Sequence, residues 1–267
     1  MASFSFPDPS AGEDPARSIP GTFPRWRALG EAALTLELGD ELSPAVRAAV
    51  QAIDRALSGR LGVGPLTGVI EVVPTFRSLT VIFDPLLTSG DQVAKGVEAV
   101  MDRPEDGEVE PPRHWSLPVC YEPTLAPDLI ETAQRLGISA AELVRAHCGQ
   151  AYEVLMLGFL PGFPFLGELA PSLQLPRWAT PRVRVPPGSV AVAGAMTAIY
   201  PWESPGGWHL IGNCPVPLFD ARHSPPALLQ VGDRVTFRPI SIDEFAQLET
   251  ARQGGDLDGA RFLDSAA

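Results

Sequence analysis

Lysine is nearly missing from this chain: Lys95 stands alone against 19 arginines in 267 residues. A Walker-type phosphate loop needs lysine followed by serine or threonine, and Lys95 is followed by Gly96, so that nucleotide site is excluded. Cysteine is also scarce. Cys120, Cys148 and Cys214 are odd in number, far apart and form no C-x-x-C, which predicts reduced thiols and a cytoplasmic setting. The four histidines (His114, His147, His209, His223) show no ligand spacing such as H-x-x-x-H, so no metal is expected. The longest apolar run, residues 154–167, is too short for a bilayer and contains Pro161 and Pro164. The first residues lack the basic and apolar regions of a signal peptide. Bases number 20 against 32 acids, and the net charge of −12 argues against nucleic acid or an anionic membrane as partner.

Proline is what the chain has in excess. Of 29 prolines, 14 fall between Pro161 and Pro239, among short apolar runs with glycine punctuation and no helical periodicity before Asp243. Proline cannot donate to a central strand ladder, so this stretch predicts short strands joined by rigid turns, an all-β barrel or sandwich.

The earlier half reads differently. Residues 28–38 predict a strand, and Ser43-Pro44 an N-cap with proline at the first helical position. Val46, Val50, Ile53 and Leu57 then mark one helix face. Residues 69–74 and 78–83 predict a hairpin, 91–101 a second helix with Val93, Val97 and Val100 or Met101 inward, and 114–121 a further strand. The order β-α-β-β-α-β is the split pattern of ferredoxin-like units, with residues 104–112 as an internal loop. Two short helices follow; Ser139 and Glu142 form a capping box for the second, which carries Leu143, Val144 and His147. The expected organisation is an α+β chain. It has a mobile tail over 1–22, an α/β domain over 23–122, a helical connector over 123–150, a barrel over 151–245 and a C-terminal tail over 246–267.

Three stretches could carry chemistry. From Leu169 to Trp202 there is no acid, yet Arg177, Arg182 and Arg184 lie there. On a strand, Arg182 and Arg184 leave one face, and two guanidinium forks suit a carboxylate, carbonate or phosphate. The other reading is a solvated strand face paired to nearby acids. Phe159-Leu160-Pro161-Gly162-Phe163-Pro164-Phe165-Leu166-Gly167 suggests a rigid aromatic pocket wall, or a hydrophobic cluster beneath a loop. Tyr200-Pro201-Trp202-Glu203-Ser204-Pro205-Gly206-Gly207-Trp208-His209 suggests an anion-binding backbone nest. Ser204 is no hydrolase nucleophile by context, since there is no G-x-S-x-G elbow and Pro205 follows it. His147, near a helix C-terminus, suits the macrodipole as well as catalysis.

Taken in order, these strings, with Ala179-Thr180-Pro181-Arg182-Val183-Arg184-Val185-Pro186-Pro187-Gly188, Val72-Val73-Pro74-Thr75-Phe76-Arg77 and Val231-Gly232-Asp233-Arg234, resemble the carboxyltransferase C/D-type family. That family includes the 5-oxoprolinase B subunit, allophanate hydrolase subunit 1 and Kip-type kinase inhibitors. The resemblance implies a small ferredoxin-like α/β domain followed by a cyclophilin-like β-barrel. It also implies a heteromeric complex with a larger homologous protein, the C-type subunit of 5-oxoprolinase, together with an A-type subunit. Such a complex opens 5-oxo-L-proline to L-glutamate with ATP. The alternatives within the resemblance are a urea carboxylase or allophanate hydrolase component and a histidine kinase inhibitor. His147, Arg182 and Arg184 become the candidate catalytic residues. Phe159, Gly162, Phe163, Thr197, Tyr200, Ser204, Gly206 and Gly207 become the candidates for holding a small amide. Two segments depart from the family pattern. Gly194-Ala195-Met196-Thr197-Ala198 replaces Gly-x-Gln-Thr-Gly, and Glu122-Pro123-Thr124-Leu125 stands where a Gly-Gly pair and polar turn are typical.

Overall fold

The computed structural model describes residues 23–41, 43–101 and 111–264. The 1–22 tail and most of the 104–112 loop lie outside them. The chain divides into two compact units, Met1–Glu105 and Asp106–Ala267.

The first unit is a four-stranded antiparallel sheet in the order β1-β2-β4-β3 with two helices. The expected strand over 28–38 is two strands, β1 (Arg25–Ala28) and β2 (Ala33–Glu37). Gly30, at φ 65°, supplies the left-handed residue that turns the chain between them. Helix α1 (Pro44–Leu57) begins as predicted: the Ser43 hydroxyl accepts the amide of Val46, and Val50, Ile53 and Leu57 are buried. Strands β3 (Val69–Pro74) and β4 (Ser78–Phe83) form the predicted hairpin, closed by Thr75 N–H donating to Ser78 O at 2.8 Å. Helix α2 (Gly90–Met101) buries Val93, Val97 and Val100. Ile53, Leu57, Val93, Val97 and Val100 join one apolar core with Leu34, Leu36, Leu79 and Val81.

The strand expected to complete the split β-α-β-β-α-β unit does not lie in that sheet. Strand β5 (His114–Cys120) belongs to the second unit, and β1 takes the edge position beside β2 instead. Alternation marks residues 114–121 as a strand but carries no information about its partner. That partner is far along the chain: β5 runs parallel to β13 (Arg234–Ile240) from the pair His114–Arg234 to the pair Cys120–Ile240. Asp233, 4% exposed, fixes this junction. It receives the Nε and Nη2 of Arg113 (2.9 and 2.5 Å), the indole N–H of Trp115 (3.0 Å) and the amide of Gln230 (2.8 Å). This buried carboxylate takes one hydrogen bond on Oδ1 and three on Oδ2 from groups on both sides of the junction, which favours this register.

Between β5 and the Pro-rich region come α3 (Leu129–Leu136) and α4 (Ala140–Cys148), the latter with the predicted Ser139–Glu142 capping box. Strands β6 (Tyr152–Leu157), β7 (Pro164–Gly167), β9 (Ser189–Ala193), β10 (Met196–Ile199) and β12 (His209–Asn213) join β5 and β13 in a closed seven-stranded barrel, ordered β10-β7-β6-β13-β5-β12-β9. Closure leaves no edge and accounts for a core of Leu117, Val119, Val154, Val192, Ile199 and Val235. Strands β8 (Arg182–Val185) and β11 (Ser204–Gly206) form a separate antiparallel ribbon.

The C-terminal tail expected over 246–267 is ordered structure as far as residue 264. Helix α5 (Ile242–Gly254) runs through its start, capped by Ser241. Leu257 is buried with Cys120, Ile240 and Leu248, Leu263 bridges to Trp115, and the amide of Asp264 donates to His114 O at 2.8 Å. The buried Leu257, the half-buried Phe262 packed on the same cluster and the backbone bridge of Leu263 anchor it.

Candidate functional site

Strand β10 divides the predicted site in two, because successive side chains leave opposite faces. Thr197 and Ile199 point into the barrel; Met196, Ala198 and Tyr200 point outward into a second cluster with Phe163, Phe165, Trp208 and Leu210. The two departures from the family pattern on this strand, Met196 and Ala198, therefore share the outer face, and Thr197 lies on the other.

Inside the barrel, His147 and Thr197 are brought together, both fully buried. The Thr197 hydroxyl donates to Ala191 O at 3.1 Å, so it accepts from His147 Nε2–H at 2.9 Å. Nδ1 is then free to accept the hydroxyl of Tyr121 at 2.8 Å, and Tyr121 in turn accepts the thiol of Cys148 at 3.3 Å. The imidazole stacks on Phe237, ring centroids 4.6 Å apart and 11° from parallel, and burial lowers its pKa to about 3. It is a neutral, fully bonded core histidine. As placed it holds helix α4 to the barrel, and it touches no open surface.

On the outer face, Phe163 meets Tyr200 edge-on at 5.0 Å, Trp208 at 6.4 Å and Phe165 at 4.8 Å. Phe159 stands over this cluster, 61% exposed, 5.4 Å from Phe163 and at φ 72°, a left-handed conformation that side chains rarely adopt. Gly162, at φ 75°, lies against the chain at 218–219: a Cβ there would sit 2.9 Å from Leu218 O. Gly206 packs on Tyr200, where a Cβ would meet the hydroxyl at 2.5 Å, and Gly207 O accepts the amide of Trp178 at 2.8 Å. Ser204 is buried, and its hydroxyl has no partner among the described residues. A cleft of about 410 Å³ opens beside this cluster, between Tyr200, Trp202, Phe219 and the α5 residues Phe245 and Arg252.

The arginines follow the second of the two readings, a strand face paired to acids. Arg182 is bound to Asp128, 4% exposed, whose other oxygen accepts the amide of Leu210 at 2.7 Å. Arg184 is bound at 2.5 Å to the exposed Glu203. The two forks do not converge on one anion; each has its own carboxylate. The acid-free stretch is neutralised from outside itself, Asp128 coming from just before α3 and Glu203 from beyond β10. Sequence reasoning missed Asp128 as a site residue, and also Arg135 and Trp178, whose side chains stack at 4.6 Å. Nothing local marks them, except that Trp178 adjoins Arg177 in the positive stretch. Among the described residues, no group of three or more His, Cys, Asp or Glu could hold a metal ion, and no helix is long and apolar enough to cross a membrane.

A barrel flanked by a ribbon, carrying these motifs in this order, defines the class. Residues 24–229 match the family described as carboxyltransferase domain, subdomain C and D, and the chain belongs to that family. Among its relatives is the 5-oxoprolinase B subunit of Bacillus subtilis (strain 168), 38% identical over 228 residues that cover 81% of this chain and 93% of the relative. The 5-oxoprolinase B subunit of Escherichia coli O157:H7 is 39% identical over 218 residues, covering 80% of this chain and 95% of the relative. The crystal structure of TTHA0988 superposes with a TM-score of 0.67 at 37% identity over 78% of this chain, but this chain covers only 40% of that one. The urea amidolyase of K. lactis shares the fold at a TM-score of 0.70 and 18% identity, over 90% of this chain and 16% of that one.

Proposed function

We propose that this chain is the B-type component of an ATP-dependent 5-oxoprolinase, a cytoplasmic complex that opens 5-oxo-L-proline to L-glutamate. The observation that carries this reading is the likeness to two proteins of that name over more than nine tenths of their length. The barrel is read as cyclophilin-like and the first unit as a ferredoxin-like variant with β1 in place of the final strand. The partners are a larger homologous C-type protein and an A-type protein.

The chemistry fits this division. Opening the lactam breaks its ring C–N bond and adds water, and an amide carbonyl is a poor electrophile at neutral pH. ATP supplies the activation by phosphoryl transfer to the substrate. Arg182 and Arg184 are already matched to Asp128 and Glu203, and no Walker lysine is present, so the ATP site is assigned to the partner proteins. This chain contributes the surface around Tyr200, with Phe159, Gly162, Phe163, Ser204, Gly206 and Gly207 shaping the substrate side. His147 and Thr197 act as positioning residues behind β10, and Arg182 holds the ribbon in place through Asp128.

The test is reconstitution. The chain, the larger homologous C-type protein and the A-type protein, mixed with ATP, should release ADP when 5-oxo-L-proline is added and not when urea is added. No release above the protein-free background overturns the reading.

A further inference from the structure

The strongest unassigned feature lies beneath residues 176–182, the strap that leads into β8. Two buried polar atoms there have no partner among the described residues, Nδ1 of His209 and the indole Nε1–H of Trp178. His209 is fully buried, and its Nε2 lies 2.9 Å from Pro176 O. Nε2 therefore carries the proton, and Nδ1 presents a bare lone pair. Burial lowers the pKa of this imidazole and keeps it neutral. The ring centroids lie 4.2 Å apart, so the buried acceptor and the buried donor belong to neighbouring rings. Unpaired buried polar atoms cost about 1–3 kcal/mol each, and such a set calls for a ligand or water that completes it.

An acceptor beside a donor is the complement of an amide, whose N–H donates and whose carbonyl accepts. Two cations lie against the tryptophans of this region. The Arg135 guanidinium lies 4.6 Å over the Trp178 ring, and the Arg177 guanidinium 5.7 Å from the Trp208 ring. Trp178 and Trp208 are tied together through the Trp178 amide and Gly207 O, 2.8 Å apart. Among the described residues neither arginine has a carboxylate partner, in contrast to Arg182 and Arg184. The free cations of the acid-poor stretch and its surroundings are thus not the two that alternation on β8 singles out.

We propose that the strap and β12 form a binding site for a small amide bearing a carboxylate. The amide meets His209 Nδ1 and Trp178 Nε1–H, and the carboxylate meets Arg135 and Arg177. Both polar atoms are closed to solvent, so the ligand enters by lifting the half-buried Trp178 indole. Arg177, Ala179, Thr180 and Pro181 beside it are exposed, and moving them uncovers no core. This site is separate from the surface around Tyr200 and goes beyond the proposed function, on which it rests only for the choice of probe.

The probes are 5-oxo-L-proline, 2-pyrrolidinone (the same lactam without the carboxylate) and L-proline (the carboxylate without the lactam carbonyl). Binding is measured by calorimetry without ATP, on the chain alone and together with the larger homologous C-type protein. The wild type should bind 5-oxo-L-proline more tightly than either control. Arg135→Gln and Arg177→Gln should each weaken 5-oxo-L-proline about tenfold, the worth of one charge-assisted hydrogen bond, and leave 2-pyrrolidinone unchanged. His209→Phe should weaken both lactams. No binding of 5-oxo-L-proline in either setting overturns the site and leaves water as the partner of the buried atoms. Arginine variants that bind like wild type, or that weaken both lactams equally, overturn it as well. ADP release by the wild-type complex is read separately, so loss of this site and loss of the oxoprolinase reading are distinct outcomes.

Discussion

Arg182 neutralises Asp128, and Asp128 in turn holds the backbone of Leu210: its carboxylate accepts the Leu210 amide at 2.7 Å while its own amide donates to Leu210 O at 3.0 Å. One ion pair thus links the ribbon, the start of α3 and barrel strand β12. Removing the cation leaves a buried carboxylate without its counter-charge. Arg182→Ala is expected to cost about 2–3 kcal/mol of stability, the lower part of the range for a broken buried pair because the arginine is one third exposed. Arg184→Ala, whose partner is open to water, should cost less than about 0.5–1 kcal/mol. Urea unfolding of the two variants checks the contrast. Equal losses would show that Asp128 does not depend on Arg182.

The same pair shows where the sequence stops being informative. Helix faces, the β3–β4 hairpin, the Ser43 and Ser139 caps and the barrel texture are local patterns of spacing, and all are legible. Partners are not. Asp128 meets Arg182 across 54 residues, and His147 meets Thr197 across 50. Strand β5 pairs with β13, more than a hundred residues on, and its own alternation suits either sheet. Arg182-Val183-Arg184 reads as two cations on one face, but which acids come to meet them depends on where α3 is packed. The aromatic cluster was legible as a set of motifs, because Phe163, Tyr200 and Gly206 each belong to a loop costly to build for any other purpose.

Gly206 fixes the ribbon against the cluster. A methyl group there would lie 2.5 Å from the Tyr200 hydroxyl and 3.0 Å from its Cζ. Tyr200 is 2% exposed and wedged by Phe163, so it has little room to yield. Gly206→Ala is expected to destabilise by about 1–3 kcal/mol through overpacking. Tyr200→Phe in the same chain removes the closest atom and should recover part of that loss. A double-mutant cycle by thermal unfolding gives the coupling, and strict additivity would mean that the two residues do not press on each other.

Residues 256–264 are expected to act as part of the barrel unit. They bury Leu257 at 7% exposure, bridge Leu263 to Trp115 and donate the Asp264 amide to His114. Ending the chain at Gly255 strips that cover from β5 while leaving α5 its C-cap. The expected loss is about 2–4 kcal/mol, the worth of one or two buried aliphatic side chains. A full-length value of stability in the truncated chain would show that the segment lies on the barrel without supporting it.

His147 should make the barrel unit sensitive to mild acid. Its pKa falls from an unfolded value of 6.5 to about 3 in the fold because the ring is fully buried, flanked by Tyr121, Tyr152, Thr197, Phe237 and the thiol of Cys148 with no acid among them. Below pH 6.5 the unfolded chain binds a proton that the folded chain refuses. The contribution is therefore whole above that pH, is lost progressively as pH falls, and levels off near pH 3. His209, lowered by burial too, adds in the same direction. Carboxylates held low by arginine, such as Glu37, enter only in the more acidic part of the range. Between pH 6.5 and 5 the loss is thus mainly histidine. His147→Gln, which keeps a donor for Thr197, should be less stable than wild type at pH 8. The gap should narrow steadily on acidification. Parallel stability curves for the two proteins across that window would mean that the ring takes up its proton in the folded chain as readily as in the unfolded one.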